Sequence, residues 1–267
     1  MRILTSLVIS CLLTASGPAI AQKAATPPRI ESWPQAKVIA MGREIYRQDR
    51  AAWLATDALL AAHSPADLAD IRGWIVVPTS TGDLVRFLAA DDAGVRARWD
   101  IAVGVDGAGP VVAAPSPDLS PDEIARWTAR QTAIANMNPL RCGPSMNSVV
   151  ARDPDSDAWM VWLLTATTET GVIPVGGHQR FRISADGRTV LSRESLSAGC
   201  LNIQTPPEAV QDDTAMVFVT HLVSDSPVET HVFLSIQNQT PIAVGIENRV
   251  FIVFGDQIEE HDMPEEP

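Results

Sequence analysis

Ala158-Trp159-Met160-Val161-Trp162-Leu163-Leu164 is an unbroken apolar run. A strand with one wet face alternates apolar and polar residues. A short run without alternation has to be covered on both faces. The sequence therefore predicts a central strand here, with other elements packed above and below it. Downstream, residues 178–183 and 188–195 predict a hairpin about Asp186-Gly187, a dipeptide that supplies the positive φ angles of a tight turn. Met216 to Leu222, Val228 to Ile236, Ile242 to Gly245 and Arg249 to Phe254 then predict further strands, completing a meander.

Upstream, the pattern changes to helices. Ser32-Trp33-Pro34-Gln35 has the spacing of a capping box with proline inside the start, and predicts a long helix to about Ala62. Its apolar residues recur at sevens, with Ile39, Tyr46, Trp53 and Leu60 as the expected buried face and Val38, Ile45, Ala52 and Leu59 beside them. Ser64-Pro65 predicts its end and the cap of a short second helix. Trp74 to Pro78 and Leu84 to Ala89 predict a strand pair turning at Thr81-Gly82-Asp83, with Trp99 to Val103 as a third strand. Gly104 to Pro121 reads as a loop. Ser120-Pro121-Asp122-Glu123 caps a helix to about Asn136, with Ile124, Trp127 and Ile134 as its stripe. Helices in front and strands behind predict an α+β class, with N-terminal helices packed on an antiparallel, mostly meander sheet.

The ends of the chain carry different signals. Arg2, the apolar Ile3 to Ala15, the break at Gly17-Pro18 and the small residues of Ala19-Ile20-Ala21 read as a secretory signal peptide over residues 1–21. Val8-Ile9-Ser10-Cys11 is a competing lipobox, in which Cys11 would be acylated. Residues 22–256 are expected to form one domain. Residues 257–267, rich in glutamate and proline, are expected to be a disordered acidic tail. Localisation is then the periplasm or the exterior. No later run is long enough to span a membrane. The formal charge of −12, from 32 acidic against 20 basic residues, argues against nucleic acid as a partner, because counterion release needs clustered cations. Cell-envelope components are the partners that export implies, and no motif demands a cofactor.

Cleavage would leave Cys142 and Cys200, an even pair that in an exported chain is expected to form a disulfide. The crosslink would stabilise the fold by roughly 3–4 kcal/mol on the chain-entropy model. Asp49 lies beside the apolar stripe of the first helix, where an ion pair with Arg43, Arg47 or Arg50 is the expected role. His178 alternates with Arg180 and Arg182, and the hairpin register is expected to set Arg193 across from Arg180. This cationic strip is a weak anion-site candidate that reads first as the solvent face of a hairpin. His221, His231 and Glu229 could hold zinc if an odd-length turn faced the two histidines. Ser224 to Pro227 makes an even-length turn, so the expectation is opposite faces and no metal.

Two resemblances accompany these readings. Ser197-Ala198-Gly199-Cys200-Leu201-Asn202-Ile203 resembles the nucleophile segment of L,D-transpeptidases, exported enzymes that cross-link peptidoglycan through a cysteine. Ala198 stands where that family has histidine, Asn202 where it has arginine, and Gln179 follows His178 where a glycine is expected. The resemblance implies Cys200 as nucleophile and His178 as its base. Over most of the chain, Tyr46-x-x-Asp49 with Trp53 and Asp57, Gly176-Gly177-His178, Cys200, Thr220-His221-Leu222 and His231 to Ser235 resemble an exported bacterial family of unknown function. That likeness implies no activity. The leading expectation is an exported protein with a non-catalytic binding or envelope-accessory role. The alternatives are a transpeptidase-like enzyme using Cys200 and a histidine-based, metal-dependent hydrolase.

Overall fold

The structure is a computed structural model that describes residues 27–91, 94–167, 169–205 and 216–262. The expected signal peptide, Cys11 and the last five residues lie outside that set. In chain order the elements are α1 (Gln35–Ala62), β1 (Ile71–Thr79), β2 (Gly82–Asp91), β3 (Gly94–Gly104), β4 (Gly107–Ala108), β5 (Val112–Ala113) and α2 (Pro121–Ala135). Then follow β6 (Ser145–Arg152), β7 (Trp159–Ala166), β8 (Val172–Pro174), β9 (Gln179–Ile183), β10 (Val190–Ser195) and β11 (Asn202–Gln204). The chain continues with β12 (Val217–Thr220), α3 (Glu229–Asn238), β13 (Ile242–Ile246), β14 (Arg249–Phe254) and β15 (Gln257–Asp262).

The apolar run is β7, an inner strand of the antiparallel sheet β10-β9-β7-β6. Its alternate side chains feed two separate cores. Met160, Trp162 and Leu164 join the core that contains α1 and α3, while Trp159, Val161 and Leu163 pack on Ala129 and Ala133 of α2. That division is what a covered strand of period two demands. The β9–β10 hairpin turns at Asp186-Gly187 as expected, and Gly187 (φ +78°) seats the turn against α2, where a Cβ would lie 2.3 Å from the Ala125 carbonyl oxygen. Helix α2 begins with the expected capping box, Ser120 Oγ accepting from Glu123 N and Glu123 from Ser120 N. Beneath it, Arg126 Nη1 donates to the carbonyls of Val76 and Val150, tying the β1-β2-β3 sheet to the central one.

Helix α1 is in register with expectation but rotated by one residue. Val38, Ile45, Ala52 and Leu59 are buried, whereas Trp53 and Leu60 are exposed at 62% and 58%. The buried face is lined by small residues, Ala51, Ala52 and Ala55 on the β1-β2-β3 sheet and Gly42 on α3. A Cβ on Gly42 would lie 2.5 Å from Val232 Cβ, so glycine is what lets α1 and α3 approach. The expected Ser32 cap is also absent. Pro34 occupies the N-cap without a side-chain bond, and Ser32 Oγ accepts instead from Asp225 N. Residues 65–70 form turns rather than a second helix.

The largest departure is at Val228 to Ile236, which is helical. Residues 229–235 are buried all round between the central sheet and the last one, so no solvent face exists to impose a helical period on the sequence. Strand β12 and strand β13 are consequently parallel, joined across α3 as a β-α-β unit, and within this last sheet the meander is confined to β13-β14-β15. Among the described residues the three helices are distributed along the chain, within an α+β fold whose sheets are mostly antiparallel. Gln257–Asp262, expected in the tail, pairs with β14 as an edge strand. Its charged residues face water, as an unpaired edge requires.

Candidate functional site

Most of the sequence-derived candidates gather around α3 and the Cys142–Cys200 bond, where Cys200, His221 and His231 line a small pocket of about 240 Å³; Arg193 lies apart on the surface. Cys142 and Cys200 are bonded, with Cα atoms 5.1 Å apart, so the Cys200 sulfur is not a thiol here. His178 is buried, and its Nδ1 accepts from Thr165 N at 3.0 Å. His231 is buried on α3, and its Nδ1 accepts from Val228 N at 3.1 Å, the role a glutamine or glutamate plays in a capping box. Each must therefore carry its proton on Nε2. The His178 Nε2 makes no well-formed hydrogen bond, the Pro174 backbone being the group that favours its charged form. Ser224 Oγ donates to the Ser226 carbonyl, so it receives its 2.7 Å bond from His221 Nε2–H.

Burial pushes His178 down to about 4, with the Pro174 carbonyl opposing, and pushes His221 down to about 4, helped by Arg29. His231 lies well below its usual range through burial and then through His221 and His178. Contrary to the expectation of opposite faces, the His221 and His231 rings meet edge to face with centroids 5.0 Å apart. The hairpin reasoning failed because α3 is not a strand. A metal-bound imidazole offers one nitrogen's lone pair while the other nitrogen's N–H donates outward. In His178 and His231 the lone pair is already occupied by a backbone N–H. Among the described residues no group of three or more His, Cys, Asp or Glu side chains is placed to hold a metal.

Glu229 and Arg180 are similarly engaged. Glu229 accepts from Trp162 Nε1 at 2.7 Å and from Arg180 Nη1 at 3.0 and 3.2 Å. Arg180 also donates to Glu194 at 2.7 Å and to the Glu31 carbonyl, and stacks 3.7 Å over Trp33. His178 and Arg180 are thus interior, not the solvent face of a hairpin. A bulge between Val190 and Ser192 shifts the register, so Glu194 rather than Arg193 stands opposite Arg180. Arg193 is exposed and donates to the Asn136 carbonyl.

A second place combines polar burial with access. A cleft of about 520 Å³ is lined by Tyr46, Asp49, Arg50, Trp53 and Thr56 of α1, Trp74 of β1, Asn147 of β6, Thr167 and Gln237 of α3. A smaller one of about 270 Å³ adjoins it, sharing Asp49, Asn147, Thr167 and Gln237 and adding Glu169. Asp49 is only 8% exposed. The expected arginine partner is not there. Arg43 pairs with Asp256, Arg47 with Glu44 and Asp83, and Arg50 reaches the carbonyls of Gly104 and Val105. The bond to Asp49 comes from a neutral group, Asn147 Nδ2 to Oδ1 at 3.0 Å, and Oδ2 has no protein partner among the described residues. Burial raises the Asp49 carboxyl above its usual range, with the Asn147 bond opposing.

This arrangement can bind a small molecule: aromatic walls, a few convergent polar groups and one carboxyl with a perturbed affinity for protons. Tyr46, Asp49 and Trp53 were visible in the sequence as an i, i+3, i+7 set. Trp74, Asn147 and Gln237 come from distant elements, and no spacing links them. No family model matches the chain, and comparison with characterised proteins and with solved structures finds none similar to it.

Proposed function

We propose that the protein is exported and serves the cell envelope as a non-catalytic binding protein, taking a small ligand in the cleft bounded by Tyr46, Trp53 and Trp74. Three features support this reading. The signal-like residues 1–21 give the address. The Cys142–Cys200 disulfide belongs to an oxidising compartment. The observation that carries it is Asp49, withdrawn from water yet left without a charged partner at the wall of an open cleft. In the histidine and disulfide cluster the Cys200 sulfur is bonded to Cys142 and the Nδ1 lone pairs of His178 and His231 are taken by backbone N–H groups, which does not favour the enzymatic alternatives.

The test has two arms. Expression of the full chain in a bacterial host, followed by fractionation, is expected to recover it outside the cytoplasm with its N-terminus near Gln22. Retention in the cytoplasm with both cysteines alkylatable would contradict export. Thermal-shift screening of small molecules is expected to find a stabilising ligand class whose effect is lost in Trp53→Ala. A ligand effect indifferent to Trp53 and Asp49 would place binding elsewhere.

A further inference from the structure

We propose that the cleft takes a small organic cation, an ammonium or alkylated ammonium group lying against the Trp53 ring with Asp49 as its counter-ion. The proposal rests on the reading of this cleft as a binding site and names its ligand class.

The first argument is electrostatic. A carboxylate removed from water is costly unless a positive charge or several donors compensate it. Asp49 has one neutral donor, and the arginines of its own helix are committed elsewhere. Arg50 is the cation that lines the cleft, but its guanidinium is turned to the β3 end, on the carbonyls of Gly104 and Val105. Glu169, in the adjoining space, adds a second negative charge, and Tyr46, Asn147, Thr167 and Gln237 are neutral. An anionic ligand would meet Asp49 and Glu169. A neutral sugar would stack on the rings but leave the Asp49 charge without compensation. A cation answers both.

The second argument comes from the tryptophans. Aromatic faces attract cations, best of all indole. Trp33, Trp74, Trp99, Trp127 and Trp159 each have a lysine or arginine over the ring within the protein. Trp162 is fully buried and donates to Glu229. Trp53 is 62% exposed, lines the same cleft as Asp49, and has no cation over it among the described residues. The volume exceeds what a bare ammonium ion fills, which points to an amine carried on a small organic body.

The experiment titrates the full chain, by tryptophan fluorescence and calorimetry near neutral pH, with choline, ethanolamine and putrescine. The controls are 3,3-dimethylbutan-1-ol, the uncharged isostere of choline, and the neutral disaccharide cellobiose. At least one cation is expected to bind, and choline to bind about tenfold or more tighter than its isostere if it is that cation. Asp49→Asn should abolish the preference for charge without lowering the melting temperature, and Trp53→Ala should weaken binding. Cation affinity should fall as acid protonates Asp49, whereas binding of a neutral compound should not. Equal affinity for choline and its isostere, or binding of cellobiose alone in a Trp53-dependent manner, would overturn the cation while leaving the binding cleft intact. Failure of all three amines would overturn the proposal outright. Cation binding that survives Asp49→Asn and Trp53→Ala together would overturn both readings of the cleft.

Discussion

Glu229 and Asp49 are both carboxylates withdrawn from water, and their surroundings treat them in opposite ways. Around Glu229 every charge is answered: Arg180 and Trp162 bond the carboxylate, and Glu194, the Glu31 carbonyl and Trp33 hold the guanidinium. Around Asp49 a single neutral amide does the bonding among the described residues, and the helix's arginines are paired elsewhere. The first region is closed and polar because the fold needs it so. The second is open, and its carboxylate is left with incomplete pairing at the wall of a cleft.

The closed region should fail in acid. His178 and His221 are pushed down to about 4 by burial, while in an unfolded chain they titrate near their ordinary value of about 6.5. Between those limits the unfolded chain binds protons that the folded one refuses. The stability is therefore fully present above about pH 6.5 and is lost as the pH falls toward 4. The loss is on the order of 3 kcal/mol for each of the two, with His231 adding in the same direction. Asp49 opposes, since its raised pKa lets the native state take up a proton in acid. Urea unfolding at pH 7.5, 5.5 and 4.5 should show a steep decline; a flat profile would break the picture of a neutral, sealed interior.

Truncation of the buried cation ranks next. Arg180→Ala strands Glu229, and about 3–5 kcal/mol of stability should disappear in denaturant titrations. The crosslink comes third. Replacing Cys142 and Cys200 by serine together opens a span of 58 residues, with an expected loss of about 3–4 kcal/mol, read as the difference between oxidised parent and variant. At the cleft the effects should shrink. Trp53→Ala removes an exposed ring and should change stability by no more than about 0.5 kcal/mol. A cost of several kcal/mol there would mean that Trp53 packs as part of the core.

The contrast between the regions also explains what could be read from the sequence. Ala158 to Leu164, the Ser120 capping box, the Asp186-Gly187 hairpin and the Cys142–Cys200 pair are local or compositional signals, and each appears in the fold. Residues 229–235 read as a strand because this part of helix α3 is enclosed on all sides, which erases amphipathic period and leaves a chance alternation of Val228, Thr230, Val232 and Leu234. The face of α1 was displaced by one residue because Gly42, Ala51, Ala52 and Ala55 carry little apolar weight beside Tyr46 and Trp53. Those aromatic residues have the spacing of a core stripe, yet both line the cleft, Tyr46 with one side on the core and Trp53 exposed. Arg180 looked like surface because a strand pattern says which residues share a face, not whether another layer covers it. Trp74, Asn147 and Gln237 meet Asp49 only through the packing of β1, β6 and α3, so half the site had no signature along the chain.

The most direct test of a structural carboxylate against a functional one is a paired measurement of unfolding free energy at pH 7 for Glu229→Gln and Asp49→Asn. Glu229→Gln leaves the Arg180 charge short of its partner and should cost about 3 kcal/mol or more. Asp49→Asn keeps an oxygen for Asn147 Nδ2 while removing an uncompensated buried charge, so stability should be unchanged or rise by up to about 1 kcal/mol. Equal and large losses in both variants would contradict the account, because Asp49 would then be holding the fold together rather than waiting for a ligand.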